Sequence, residues 1–258
     1  MSFLFSEFIY KPIYNLLVFI YNIIPGHDFG IAIIVVTVLI KLLLVPLSKK
    51  QIESQKKMQE LQPKIKEVQE KYKKDKEKQS RAMMDLYKEN KANPFSGCLP
   101  MVFQLIFLIA IYRVLFNISK NGEMASGLYS FIYNPGIIKH MFLGFLDLSV
   151  PANLHEFSIF NIVRLLLVIL AAIAQFFQTK MLMAKNLNSQ KNNKDKKDPD
   201  FSQAMSQQML YFAPIMTLLI GLKFPSGLAL YWLVSTVFML AQQIYMNQEE
   251  LKKAQKIG

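Results

Sequence analysis

Residues 29–47 read FGIAIIVVTVLIKLLLVPL, a run with no acidic residue whose polar side chains are only Thr37 and Lys41. At ~1.5 Å of helical rise per residue, a run of this length covers about 28 Å, close to the ~30 Å hydrocarbon core of a bilayer. Four further stretches have the same character: 97–117, 158–180, 208–222 with its flanks, and 227–246. None of them contains Asp or Glu. The fourth is short and holds Pro214, which a spanning helix tolerates when its neighbours satisfy the freed carbonyl. Hydrophobic residues make up 52% of the 258, and the charge, +12 overall, lies between the apolar blocks rather than within them. Such segregation on the scale of a bilayer marks an all-α integral membrane protein with five transmembrane helices.

Residues 3–24 are ambiguous. Glu7, Lys11 and Pro12 interrupt them, and Tyr10, Tyr14 and Tyr21 recur along them, so they read as a helix lying in the membrane interface, with a sixth span as the alternative. The first ten residues carry Glu7 and no basic residue, unlike a cleavable signal.

Lysine and arginine set the orientation. They crowd into 48–96, from Lys49 to Lys91, into 181–207, and into the tail at Lys252, Lys253 and Lys256; the opposite side has Lys11, Lys120, Lys139 and Lys223. The expected order is therefore an external interfacial segment, 1–28; a first span, 29–47; a cytoplasmic helical hairpin, 48–96; and a second span, 97–117. An external loop, 118–157, leads to a third span, 158–180, and a cytoplasmic loop, 181–207, to the fourth, 208–222. An external turn, 223–226, joins it to the fifth, 227–246, and a basic cytoplasmic tail, 247–258, follows. A bacterial plasma membrane is the simplest setting. In the hairpin, Leu61, Ile65, Val68 and Tyr72 keep helical spacing, with Pro63 expected at the start of the first helix and a second helix holding Met83 to Tyr87. Residues 186–200, rich in Asn, Lys and Asp, read as a disordered connector, and Pro135 and Pro151 as bounds of short interfacial helices.

Lys41 stands about seven residues, or ~10 Å, inside the cytoplasmic boundary, one turn from Thr37. It either snorkels to the headgroups or faces protein and water. Gln104, Gln175, Gln178, Thr217, Ser235, Thr236, Gln242 and Gln243 place polar groups in the other spans. Singly, each reads best as interhelical hydrogen-bond glue. Together with a cation and no intramembrane acid, they point to a water-accessible, positively charged cavity open to the cytoplasm. Arg113 and Arg164 lie near the outer helix ends, within reach of that interface. Catalysis has few candidates: there is no HExxH or GxSxG, no histidine or acid in a span, and no serine specifically placed beside Lys41. The single cysteine, Cys98, excludes a disulfide framework.

Three stretches then bring a family into view. Asn93-Pro94-Phe95-Ser96-Gly97-Cys98-Leu99-Pro100, running into Gln104 and Tyr112, resembles the start of the second core span of the YidC family of membrane protein insertases. Phe224-Pro225-Ser226-Gly227-Leu228-Ala229-Leu230-Tyr231-Trp232, followed by Gln242-Gln243, resembles that family's hairpin between the last two spans. Leu61-Gln62-Pro63-Lys64-Ile65-Lys66 resembles the opening of its cytoplasmic hairpin. The resemblance implies five helices around a hydrophilic groove, closed on the outside, with nascent membrane proteins as substrates and no cofactor or metal. Its implied partners are the lipid bilayer, the ribosome, the Sec translocon and the signal recognition particle pathway. Lys41 matches the family's groove arginine, keeping the charge without the forked guanidinium, and Ser235-Thr236 stands where the family often has Ser-Asn. The groove set is thus Lys41, Thr37, Gln104, Gln175, Gln178, Ser235, Thr236 and Gln242. The rival readings are a small-solute transporter or channel, against which the lack of internal repeats counts, and a chaperone that holds membrane proteins without inserting them.

Overall fold

In the computed structural model, which describes residues 3–93, 99–121, 127–191 and 201–257, the chain is helical almost throughout. The described residues form α1 (Phe3–Ile23), α2 (Phe29–Leu43), α3 (Val45–Lys71), α4 (Lys76–Glu89), α5 (Leu99–Asn121), α6 (Ile159–Lys191), α7 (Phe201–Lys223) and α8 (Ser226–Ile257). A two-stranded antiparallel sheet, β1 (Met141–Phe142) with β2 (Leu146–Asp147), lies between α5 and α6. By length and composition α1, Ile159–Met181 of α6 and Ser226–Glu249 of α8 can each cross a bilayer; α2 with α3 passes as a bent pair, and Gln104–Ile118 and Leu210–Lys223 are shorter apolar helices. This is an all-α membrane protein. Its hub is α8, which packs against α2, α5, α6 and α7, while α7 lies chiefly along α6.

The stretch 29–47 does not run straight. It breaks at Leu44, and α2 and α3 meet at 65°. Pro46 explains the position: it has no N–H to donate to the carbonyl of Leu42, and it suits the first turn of a new helix. Lys41 therefore sits just inside an elbow, with less straight helix beyond it than the unbroken run implies. For the same reason the hairpin's first helix begins at Val45, which leaves Pro63 inside α3 rather than at its start. The hairpin turns at Tyr72–Asp75, where the Asp75 carboxylate accepts the Lys78 N–H at 3.0 Å and caps α4. Leu61 and Ile65 are buried along α3. Residues 186–191, expected within a disordered connector, continue α6 as helix; 192–200 lie outside the described residues, as do 94–98 of the Asn93–Pro100 motif.

Lys11 and Pro12 do not interrupt α1. A single wide turn, Ser6–Tyr10, in which the Lys11 N–H donates to the Ser6 carbonyl, carries the helix through, and Lys11 pairs with Glu7. The helix spans the end of the bundle where α2 begins. Near its start the Arg113 guanidinium lies 5.7 Å from the Phe5 ring and Asn117 donates to the Tyr10 hydroxyl; near its finish Tyr21 packs edge-on against Phe29. Both ends of α1 thus touch the same end of the bundle.

That end is closed by residues 127–157, where no helix forms among the described residues. Leu148 and Val150 offer carbonyls to the Gly227 and Ser226 N–H groups, and the Ser226 hydroxyl also donates to Val150. Asp28 caps α2 through the Ile31 N–H and holds the Leu143 N–H with its other oxygen. Buried Asn15 ties α1 to Gly127 and Tyr129, and buried Asn161 ties α6 to Asn153. Arg164, expected to reach the interface, is instead buried and donates to the Asp147 carbonyl at 3.3 Å. A backbone that must be satisfied away from water makes this net of side-chain and main-chain bonds the alternative to short helices. Gly30 lets β1 approach: a Cβ there would lie 2.2 Å from Cδ2 and 2.7 Å from Cβ of Phe142. Gly30→Ala is expected to cost about 1–3 kcal/mol by overpacking, read as a lower thermal midpoint in detergent, and Gly30→Ala with Phe142→Ala is expected to recover most of that shift.

Candidate functional site

The opposite end of the bundle, beside the hairpin, gathers most of the polar side chains expected to line a cavity. Lys41 leaves the last turn of α2 and turns inward rather than toward headgroups. Its Nζ lies 3.4 Å from Oε1 of Gln104 on α5 and 3.4 Å from Sδ of Met239 on α8. The same Gln104 oxygen accepts the Ser235 hydroxyl at 3.1 Å, so a single amide oxygen serves two donors from different helices. The Gln104 Nε2, buried, has no hydrogen-bond partner among the described residues. No carboxylate reaches Lys41 among the described residues. A thioether is a weak acceptor, so the ammonium is under-solvated by protein and needs water or an incoming polar group.

Two further groups adjoin this one. On α6, Gln175 Oε1 accepts the Trp232 indole N–H at 3.3 Å and its Nε2 lies 3.5 Å from the Thr179 hydroxyl. One turn on, Gln178 Nε2 lies 3.6 Å from the same Met239 sulfur. At the elbow, Ser48 and Gln242 bond reciprocally: the hydroxyl donates to Oε1 at 3.0 Å, and Nε2 lies 2.7 Å from the hydroxyl. A small open cleft lies between these groups, lined by Ser48, Gln51, Ile52, Gln55, Gln178, Met239, Gln242 and Gln243.

Of the eight groove residues read from the sequence, Lys41, Gln104 and Ser235 meet directly, and Gln178 joins them through Met239. Gln242 guards the elbow, and Gln175 bonds to Trp232, further along α8 toward the closed end. Thr37 is buried and donates to the Ile33 carbonyl of its own helix, and Thr236 is buried beside Ser235. Met239 was not legible as a site residue, because an apolar methionine in a span signals only packing. Gln51 and Gln55 lie three and seven residues beyond Ser48, a helical spacing that would have marked them had the elbow been foreseen. No group of three or more His, Cys, Asp or Glu able to hold a metal occurs among the described residues.

The Lys41 environment has a consequence for stability. Lys41→Met keeps the stem and removes the ammonium, so it is expected to raise the thermal midpoint of the purified protein, by about 1–3 kcal/mol of stability. A lowered midpoint would mean that the ammonium holds the bundle together.

Residues 19–254 match the family described as 60Kd inner membrane protein. The chain is 32% identical over 259 residues to membrane protein insertase YidC 2 of Bacillus anthracis, covering 99% of this chain and 85% of that protein. It is 34% identical over 241 residues to membrane protein insertase YidC of Geotalea uraniireducens (strain Rf4), covering 92% of this chain and 37% of the relative. With YidC of Haemophilus influenzae (strain PittEE) it shares 35% over 246 residues, covering 94% and 38%. The chain thus spans little more than a third of the length of some relatives and most of the length of another. By these matches, which take in α2 through α8 and with them every residue of the polar groups around Lys41, the chain belongs to the 60Kd inner membrane protein family, to which the YidC insertases it resembles also belong.

Proposed function

We propose that the protein inserts nascent membrane proteins into the bilayer from the hairpin side, using the groove around Lys41 to carry a hydrophilic flank part-way across. The observation that carries this reading is the Lys41 ammonium, held inward against Gln104 and Met239 with no acidic partner among the described residues. An ammonium so placed lowers the desolvation cost of a polar, and above all an acidic, tail that would otherwise meet hydrocarbon. The apolar segment that follows leaves between α6 and α8, along the side where Ile169, Leu170, Ile173, Phe177 and Val237 are exposed. Burying ~20 apolar residues in lipid supplies the driving force, so the step needs neither nucleotide nor metal.

In this reading the hairpin and both basic segments face the cytoplasm, the N-terminus lies outside, and the membrane is a bacterial plasma membrane. Lysine asymmetry supports the orientation. The contacts of α1 with Arg113, Asn117 and Phe29, all at one end of the bundle, support an interfacial α1 over a sixth span, although its length alone would suffice to cross. The net of bonds through residues 140–153 supports a groove closed on the outside. The basic hairpin and tail fit contact with the ribosome, with the Sec translocon and with the signal recognition particle pathway; anionic lipid would attract the same lysines at ~1 kcal/mol each. Holding membrane proteins as a chaperone draws on the same groove.

A small-solute transporter or channel would need a path open to each side in turn. Two measurements separate the readings. A stalled nascent chain is expected to crosslink to Thr37→Cys, Gln104→Cys and Ser235→Cys in a Cys98→Ser background, whereas solute flux through purified protein without crosslinking would favour transport. In proteoliposomes, Lys41→Ala is expected to slow insertion of substrates with acidic translocated tails about tenfold while neutral tails change little, on the scale of one charge-assisted hydrogen bond. Equal insertion of both would remove the electrostatic role.

A further inference from the structure

The loops at the closed end turn apolar side chains outward. Residues 127–157 carry only Lys139, Asp147 and Glu156 as charged side chains. Phe131, Tyr133, Ile137, Leu143, Leu154 and Phe157 are each 58% exposed or more. A surface that faces water keeps its contiguous apolar patches small, so a segment of this kind calls for a covering.

The turn between β1 and β2 is the sharpest case. It runs Phe142-Leu143-Gly144-Phe145, and the Phe145 N–H donates to the Phe142 carbonyl at 3.3 Å. The two central residues have φ of 53° at Leu143 and 76° at Gly144. Such a turn ordinarily takes Asn-Gly or Asp-Gly. A leucine at its tip is disfavoured twice, by its backbone conformation and by its exposure to water. The Asp28 carboxylate, 2.5 Å from the Leu143 N–H, holds the turn in place. An apolar surrounding removes the second penalty.

The placement favours lipid over a protein as that surrounding. The exposed side chains are spread over the ends of three helices. Asn22 of α1 donates to the Tyr133 carbonyl, Asp28 at the start of α2 holds Leu143, and Asn161 of α6 holds Asn153 beside Leu154. Because α2 and α6 pack chiefly on α8 rather than on each other, a protein partner would have to reach both sides of the bundle, whereas a bilayer surrounds it. Phe157 also leads directly into Ile159, Ile162, Leu166 and Ile169, the exposed apolar face of a helix able to cross a membrane. An irregular segment enters a membrane only when its backbone is bonded within the protein, and the asparagine and aspartate ties contribute to that. Phe131, stacked on Tyr129, and Tyr133 are residue types suited to headgroup depth.

We infer that residues 127–157 are an interfacial anchor: Leu143 and Phe145 at the β1–β2 tip, with Phe131, Tyr133 and Phe157, sink into the lipid leaflet at the closed end. The segment expected from the sequence as an external loop is then part of the membrane surface rather than a lid in water. Lys139 and Glu156, both exposed, meet the headgroups. The inference needs only that the chain spans a membrane and stands apart from the insertase reading.

The test reads depth. The full chain, in a Cys98→Ser background, carries an NBD fluorophore at Leu143→Cys or at Phe157→Cys, in vesicles of phosphatidylethanolamine and phosphatidylglycerol. Both sites are exposed, so neither substitution disturbs packing. The same probe at Lys74→Cys, in the hairpin turn, gives a water-facing signal for comparison. Phospholipids bearing nitroxides at graded depths are expected to quench both closed-end probes and to place them ~5–10 Å into the headgroup and acyl boundary, with iodide on both faces leaving them bright. Iodide quenching at either position, like that at Lys74→Cys, would show a water-facing loop and overturn the inference. Protection from both quenchers would mean a protein covering, a second copy of this chain included, and would overturn it as well.

Discussion

An ammonium inside an apolar bundle must be solvated by something. With no acid in any of the expected spans, Lys41 has Gln104 and Met239, and Gln104 divides its oxygen between the lysine and Ser235. That incomplete solvation governs the hairpin-side half of the molecule. It requires polar groups on several helices at one depth, and it leaves those groups under-used. A dry, well-packed bundle would place methionine or leucine at 41. Retaining the charge is expected to cost stability, and under the proposed insertase reading the gain is a place where a polar chain is better tolerated than in lipid.

The two ends of the bundle are built on opposite principles. At the closed end, side chains tie down backbone: Asp28, Asn15, Asn161 and Ser226 each hold part of the 127–157 segment, and Gly30 and Gly227 allow it close approach. At the hairpin end, the Lys41 ammonium has an amide oxygen and a thioether, and the buried Gln104 Nε2 has no partner among the described residues. α8 links the two, carrying Gly227 at one end and Gln243 toward the other.

Much of this was legible in the sequence because bilayer length and charge segregation are coarse, robust signals. The all-helical membrane fold followed from them, and family membership from three short motifs. Lys41, Gln104 and Ser235 could be singled out because a polar residue in a span is rare enough to question. What the sequence hid was local geometry. Pro46 bends 29–47 instead of ending it, so Pro63 falls inside a helix and Gln51 and Gln55 come over the bundle. The 127–157 segment forms a small sheet and a set of Asx and serine ties in place of helices, since its bonding partners are distant in sequence. Met239 bridges Lys41 and Gln178 through a sulfur that no hydropathy pattern distinguishes from packing. Arg164 looked free to reach an interface, and only the loop folded over it reveals otherwise.

The central claim is that the Lys41 side chain occupies a wet hollow reached from the hairpin side alone. Its most direct measurement is the labelling of Lys41→Cys, in a Cys98→Ser background, by a membrane-impermeant thiol reagent added to either side of oriented vesicles. Labelling from the hairpin side, with none from the side of residues 127–157, is the expected result. Absence of labelling from both sides would mean a dry, packed bundle, and labelling from both would mean an open pore; either would contradict a one-sided hydrated groove.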